Sequence, residues 1–148
     1  MFIKKDSFGK VLDLGCADNK LGGIWKFPNY SFEGKVIGID YIKSKNTDII
    51  CNLNKGRLPL KDESFDIVYA HHTLEHLKNV AEIIPEIWRI LKKGGFFLVR
   101  VPYLSSSFGE LTHLTQFSYN TLDCFISNKS KNSAKYDYQI ENKFFLNL

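Results

Sequence analysis

Val11-Leu12-Asp13-Leu14-Gly15-Cys16-Ala17-Asp18-Asn19 decides the fold. Apolar residues run up to a carboxylate, and then come a glycine and a series of small and polar residues. This is the pattern of a buried strand that ends in a tight turn, where glycine lets the backbone approach a ligand closely. A second strand-like run, Val36-Ile37-Gly38-Ile39-Asp40, also ends on a carboxylate. In an open α/β sheet, ligands bind at the carboxyl ends of the strands, where the strand order reverses. An acid at the tip of the second strand is placed to hold the two hydroxyls of a ribose. The two tips together point to a nucleoside-containing ligand.

Dinucleotides ask for Gly-x-Gly-x-x-Gly, because backbone must pack against a pyrophosphate. Here Ala17 and Lys20 stand at the second and third glycine positions, and a lysine fits poorly where helix must pack closely on strand. A nucleoside without phosphates needs less of the loop, and S-adenosylmethionine is such a cofactor. At this point the residues resemble the class I (Rossmann-like) S-adenosylmethionine-dependent methyltransferases. Residues 11–15 are similar to the first motif of that family, and Gly38-Ile39-Asp40 to the second. Asn19-Lys20-Leu21 resembles a subgroup whose loop runs on as Asn-Lys instead of a third glycine. Asn tolerates the left-handed conformation better than other non-glycine residues, which makes the swap physically reasonable. An ordinary Rossmann-like strand and turn with no ligand is the alternative that the first motif alone leaves open.

Length and composition bound the rest. The 148 residues fit one domain, 1–148, with a real core, and 44% hydrophobic and 14% aromatic content agree with a packed protein. No apolar run approaches the roughly 20 residues needed to span a membrane. The start, Met1-Phe2-Ile3-Lys4-Lys5-Asp6, is too short and polar for a secretory signal. The three cysteines, Cys16, Cys51 and Cys124, have no metal or disulfide spacing, which favours reduced thiols and a cytoplasmic setting. A net charge of +4, spread over scattered lysines, reads as solvated surface and makes a nucleic-acid partner a minority option.

The first strand is expected at about residues 10–14. Family members carry more chain before this strand, so the front of the sheet is expected to lack covering helices. From Cys16 to Lys35, Gly22-Gly23, Pro28 and Asn29-Tyr30-Ser31 predict an irregular or single-turn crossover. Residues 48–51 read as a short third strand and 65–70 as the fourth, with Asp66 in a structural role. Val80, Ile83, Ile84, Ile87 and Leu91 make a helical stripe, with Pro85 tolerated in the first turn. Lys92-Lys93 suit the helix C-terminus and Gly94-Gly95 stop it. Glu-x-x-Arg-x-Leu-Lys-x-Gly-Gly is a further family resemblance, and it implies packing without chemistry. Residues 95–101 are then the fifth strand. Ser118 is expected to cap a helix of about 119–127. Residues 136–148 read as strand, with a trimmed C-terminal edge that invites a homodimer or another partner. The fold expected is an α/β, mostly parallel Rossmann-like sheet flanked by helices, shortened at its N-terminal helices and C-terminal strands.

The chemistry is carried by two short segments. His71-His72-Thr73-Leu74-Glu75-His76 resembles the family segment after the fourth strand, which flanks the methionine half of the cofactor. His72-x-x-Glu75-His76 also matches a zinc signature, but a zinc site needs a third protein ligand and a longer helix, so no metal is expected. Thr112-His113, with Phe117-Ser118, resembles a Thr-His-x-x-x-Phe-Ser/Thr pattern of a methyltransferase subgroup, although Glu110-Leu111 replaces the usual Asp-Pro. Both segments follow strands that should end on one face of the sheet. His113, then His72, are the candidate bases for an acceptor hydroxyl, each with a loop-fixing role as the alternative. The resemblance implies a cofactor set: Gly15 and Ala17 for close approach, Asp13 for the methionine amino end through water, Asp40 and Tyr41 at the ribose, Asn52 and Leu53 at the adenine, and His71 beside the methionine half. A turn-forming Asn52 is the alternative. The function implied is methyl transfer to a small-molecule or sugar-containing acceptor. A non-catalytic cofactor-binding module acting through a partner is the runner-up, and a zinc hydrolase is the third reading.

Overall fold

Side chains in a strand alternate between faces, so the run from Val11 to Leu14 must bury two sets of neighbours. It does. The computed structural model describes residues 9–21, 34–103, 109–118, 121, 122 and 125, and the backbone of 135–140 and 143–145. Strand β1 (Lys10–Leu14) is an inner strand of a seven-stranded sheet. Its neighbours are β2 (Lys35–Asp40) and β4 (Phe65–His71), both parallel to it. Outward from β2 comes β3 (Ile49–Ile50); outward from β4 come β5 (Leu91–Val101), β6 (Lys135–Ile140) and β7 (Lys143–Phe145). The order is β3-β2-β1-β4-β5-β6-β7, and only β7 runs antiparallel. The chain therefore builds one side of the sheet, returns past β1, and builds the other. That reversal places a crevice at the tips of β1 and β4.

On one face Leu12, Leu14, Val68, Ala70, Phe97 and Val99 meet helix α1 (Val80–Ile90), which buries Val80, Ile83, Ile84, Ile87 and Ile90. Each such side chain contributes roughly 1.5–3 kcal/mol by leaving water. On the other face Val11, Ile67, Tyr69 and Leu98 form a smaller cluster. Asp13 belongs to that second face, in register with Gly38 on β2 and Tyr69 on β4.

The helix differs from expectation at both ends. Pro85 sits in its second turn, not its first. It is on the exposed side, where water can serve the Ala81 carbonyl left without a partner. The helix also stops at Ile90, before the glycines. The amides of Glu63 and Ser64 donate to the carbonyls of Arg89 and Ile90 at 2.9 and 2.8 Å, so the chain entering β4 caps the helix. Leu91 is then free to turn extended and pair with Phe65. Lys92 to Gly95 form an irregularity in the β4–β5 ladder, since Phe65 pairs with Leu91 but Ile67 with Phe96. Lys92 reaches both oxygens of Asp66 at 2.9 and 3.0 Å, and Asp66 also accepts the Lys10 amide, confirming its structural role.

Against the single strand expected over 136–148, the backbone makes two, β6 and the three-residue β7. They pair antiparallel, and β7 is the last strand in the sheet order. Most of the 16–35 crossover and most of the helix expected at 119–127 lie outside the described residues. At the start of the latter, Thr121 Oγ1 accepts the Ser118 amide at 2.8 Å, while the Ser118 carbonyl accepts the Thr121 amide. No helix among the described residues is long and apolar enough to cross a membrane.

Arg89 fastens α1 to the segment before β4. Its guanidinium donates to Glu86 at 2.9 and 2.6 Å, to the carbonyls of Leu60 and Leu58 at 2.8 and 3.1 Å, and to Asp62. The pairing holds the Glu86 carboxyl below its ordinary range. Arg89→Met should cost about 2–4 kcal/mol in chemical denaturation, because Glu86 and two carbonyls lose their donor. Ligand affinity at the far ends of the strands should not change.

Candidate active site at the strand tips

The loop after β1 hangs from two carboxylates. Asp40 Oδ2 accepts the Ala17 amide at 3.0 Å, and Asp13 Oδ2 accepts the Leu21 amide. Both donors have left-handed backbones, with φ of 44° at Ala17 and 55° at Leu21. Asn19, the residue type in this loop that tolerates that conformation best, is not among the residues with positive φ. A branched or β-carbon-bearing residue in that region costs about 1–2 kcal/mol, which these two charge-assisted hydrogen bonds offset. The loop's conformation is thus set by the acids at the strand tips and not by the residue type in the loop.

The loop after β2 clasps it from the side. Ser44 Oγ donates to the Ala17 carbonyl at 2.7 Å, and Asn46 Nδ2 donates to the Asp18 carbonyl. Lys20 pairs with Asp48, which also accepts the Gly38 amide at 2.7 Å. This lysine lowers the Asp48 carboxyl below its ordinary range. Gly38 permits the arrangement: a β-carbon there would lie 2.4 Å from the Asn46 carbonyl and 2.7 Å from Cys16 Sγ. The sequence marks Lys20 as a misfit at a glycine position and as part of the Asn-Lys loop, without showing what it pairs with. Its partner Asp48, ten residues beyond Gly38, carries no local signal.

Asp13 and Asp40 therefore face one and the same loop. Asp13 is 2% exposed and Asp40 7%. Burial pushes the Asp13 carboxyl from 3.8 up to about 6, against the pull of the Leu21 amide and the Lys20 charge, and the nearby Asp40 adds to the rise. Asp40 uses Oδ1 for the Ile42 amide at 3.0 Å, in addition to Oδ2 for Ala17. An ionised carboxylate offers about four acceptor positions, so two remain for a ligand's hydroxyls.

At the tip of β4 the chain makes a strained turn. His72 has φ of 50°, and its amide continues the ladder to the Arg100 carbonyl at 2.9 Å. His71, at the end of the strand, stacks near Tyr69 and meets the His72 ring edge-on at 4.5 Å. Thr73, which sequence reading passed over, binds the two central strands together: its hydroxyl lies 2.9 Å from the Leu14 carbonyl and 3.2 Å from that of His71. Residues 74–76 form one tight 3₁₀ turn, so His72 and His76 do not share a helical face as the zinc signature would need. Instead His72 Nδ1 meets Glu75 Oε1 at 3.0 Å, and Glu75 is fully buried.

The second histidine segment docks onto this turn. The amides of Leu114 and Thr115 donate to the Glu75 carbonyl at 2.7 and 3.0 Å, and Thr115 Oγ1 donates to that of Leu77 at 2.9 Å. Phe117 is buried in the core and bridges to Tyr103. His113 is thereby brought to the turn, where its ring lies 5.0 Å from that of His76, not His72. Asn52 and Leu53, expected at the adenine, lie just after β3. Asn52 caps a short 3₁₀ turn over Leu53–Lys55, its Oδ1 accepting the Asn54 amide at 3.0 Å, which is the turn-forming role. Leu53 is buried in the main core cluster, while Tyr41 stands 68% exposed just past Asp40.

Residues 12–99, more than half of the chain, match a family model described as a methyltransferase domain. A probable S-adenosylmethionine-dependent methyltransferase of Mycolicibacterium smegmatis is 34% identical over 98 residues, covering 60% of this chain and 38% of that protein. A sterol 4-C-methyltransferase of Caenorhabditis elegans is 30% identical over 94 residues, covering 62% and 27%. The chain thus spans well under half the length of these relatives. Among solved structures, the Bacillus subtilis protein YcgJ shares the fold, with a TM-score of 0.57 at 20% identity, over 79% of this chain and 59% of that one.

Proposed function

Because the chain belongs to the class I S-adenosylmethionine-dependent methyltransferase family, we propose that it binds S-adenosylmethionine at the tips of β1, β2 and β4 and transfers its methyl group to an acceptor hydroxyl. The acceptor class we favour is a small molecule or a sugar-containing one. The single observation that carries the reading is that Asp13 and Asp40, both nearly buried at neighbouring strand tips, hold one and the same loop. The donor set suits the cofactor: an acid with acceptor positions left for a ribose, and a second acid for a cationic amino group. The left-handed Gly15 and Ala17 keep the backbone close at the turn between them.

The cofactor supplies a methyl group already activated on a sulfonium, so the protein's task is to position and to handle a proton. His72 is the base we assign. Its Nδ1 lies 3.0 Å from the buried Glu75 carboxylate, which orients the imidazole at the tip of β4, where a base for the acceptor's proton is needed. Asn52, Leu53 and Tyr41 would flank the adenine and ribose, and His71 the methionine half. All described strands belong to one sheet, which supports a single domain over 1–148. The unpaired side of β7 is the edge we propose for self-association. The free thiols of Cys16 and Cys51 support a cytoplasmic setting.

Calorimetric titration with S-adenosylhomocysteine tests the reading. Asp40→Asn keeps an oxygen for the loop but loses the charge, and should weaken binding about 10–100-fold, the worth of one or two charge-assisted hydrogen bonds. Unchanged affinity in this variant, or no binding by the parent chain, rules the site out.

A further inference from the structure

We propose that Glu75, His76 and His113 form a binding site for a divalent transition-metal cation, with coordination positions left open. One ligand atom from each of the three lies within 4.8 Å of the other two. The residues come from two segments, and the hydrogen bonds of Leu114 and Thr115 to the Glu75 carbonyl hold those segments together. Sequence reading set a zinc site aside for want of a third protein ligand. His113, from 37 residues further along, takes that place.

Two independent features point to a cation. Glu75 is fully buried, and its Oε2 has no hydrogen-bond partner among the described residues, whereas Oε1 is taken by His72. A buried carboxylate oxygen left without a partner costs free energy that a bound cation recovers. His76 Nδ1 lies 3.0 Å from the Thr112 carbonyl. A carbonyl only accepts, so Nδ1 carries the proton and the Nε2 lone pair is available. A ring oriented through its other nitrogen by a backbone carbonyl is the usual support of a metal-binding histidine.

Two imidazoles and one carboxylate suit zinc, manganese, iron(II), cobalt or nickel better than magnesium or calcium, which prefer all-oxygen surroundings. Ligands around one such ion stand roughly 3–4 Å apart, with bonds of about 2.0–2.2 Å. The half-buried His113 and the exposed His76 must therefore close slightly on Glu75. Three protein ligands leave a position for water or for an oxygen of an acceptor. This assigns His113 to the cation and leaves the proton to His72. The site stands or falls on metal binding alone, independently of the cofactor reading.

The test uses the full chain after dialysis against a chelator, titrated calorimetrically with zinc and manganese, and with cobalt(II) followed by its visible absorption. One equivalent is expected. His113→Ala and His76→Ala, both at accessible positions, should each weaken binding at least about 10-fold, as should Glu75→Gln. Should Glu75→Gln not fold, the two histidine variants decide. Cys51→Ser, which removes a half-exposed thiol, should leave binding intact. Sub-stoichiometric uptake, loss on Cys51→Ser, or full affinity in both histidine variants would overturn the site, while failure to bind S-adenosylhomocysteine would not touch it.

Discussion

Gly15→Ala is expected to destabilise the fold more than any other single substitution at the strand tips. Gly15 has φ of 74°, a region that costs an alanine about 1–2 kcal/mol. The added β-carbon would also lie 2.5 Å from both Cγ2 and Oγ1 of Thr73 and 3.1 Å from its Cβ. Thr73 cannot swing away cheaply, since its hydroxyl bridges the carbonyls of Leu14 and His71 and it is itself buried. Overpacking of this kind adds about 1–3 kcal/mol, and the sum is a large part of a stability of about 5–15 kcal/mol. Chemical denaturation should show a loss of about 2–5 kcal/mol. Thr73→Ala removes the two closest atoms, so the double variant Gly15→Ala/Thr73→Ala should lose less than the two single variants added together. If the losses simply add, the contact between the tips of β1 and β4 is not what restricts position 15 to glycine.

The contact also shows what the sequence could and could not convey. The strands were legible because burial on two faces forces apolar runs that end at polar tips, and β1, β2 and β4 lie where those runs stand. The order of motifs also placed Asp13, Gly15 and Asp40 at neighbouring tips. What held the loop between them was not legible. Ala17 and Leu21 take left-handed conformations because distant acids bind their amides, and no local preference announces that. The helix end was misplaced for the same reason. Gly94-Gly95 is the stronger local stop, but the Glu63 and Ser64 amides cap the helix four residues earlier, a tertiary effect. The convergence of the two histidine segments was legible, but which rings meet was not. His113 meets His76 because backbone amides of Leu114 and Thr115 dock on the Glu75 carbonyl, a bond that residue identity does not specify.

Asp13→Asn should stabilise the protein at neutral pH and weaken its ligand. Burial raises the Asp13 carboxyl from 3.8 to about 6. Between these values the folded state holds a proton that the unfolded chain has released, so stability falls as pH rises through the window and stays reduced above it. This is the reverse of a salt-bridged acid, which gains stability as pH rises. A shift of about two units corresponds to at most about 3 kcal/mol, and Asp13 is shielded enough from water for most of it to be felt. Asparagine keeps an oxygen for the Leu21 amide and carries no charge. The variant should therefore be about 1–3 kcal/mol more stable at pH 7.5 in urea denaturation, equal to the parent near pH 4, and without the parent's decline between. An acid retained at such a cost is suited to a cation, here the amino group of the cofactor. Binding that cation favours the ionised form, so the parent's affinity for S-adenosylhomocysteine should rise by up to about 10-fold from pH 5 to pH 7. In Asp13→Asn affinity should be lower at pH 7 and flat across the range. A parent whose stability climbs through pH 4 to 6, or a variant that keeps the pH-dependent affinity, would remove Asp13 from the ligand site and leave it a buried acid of the second core.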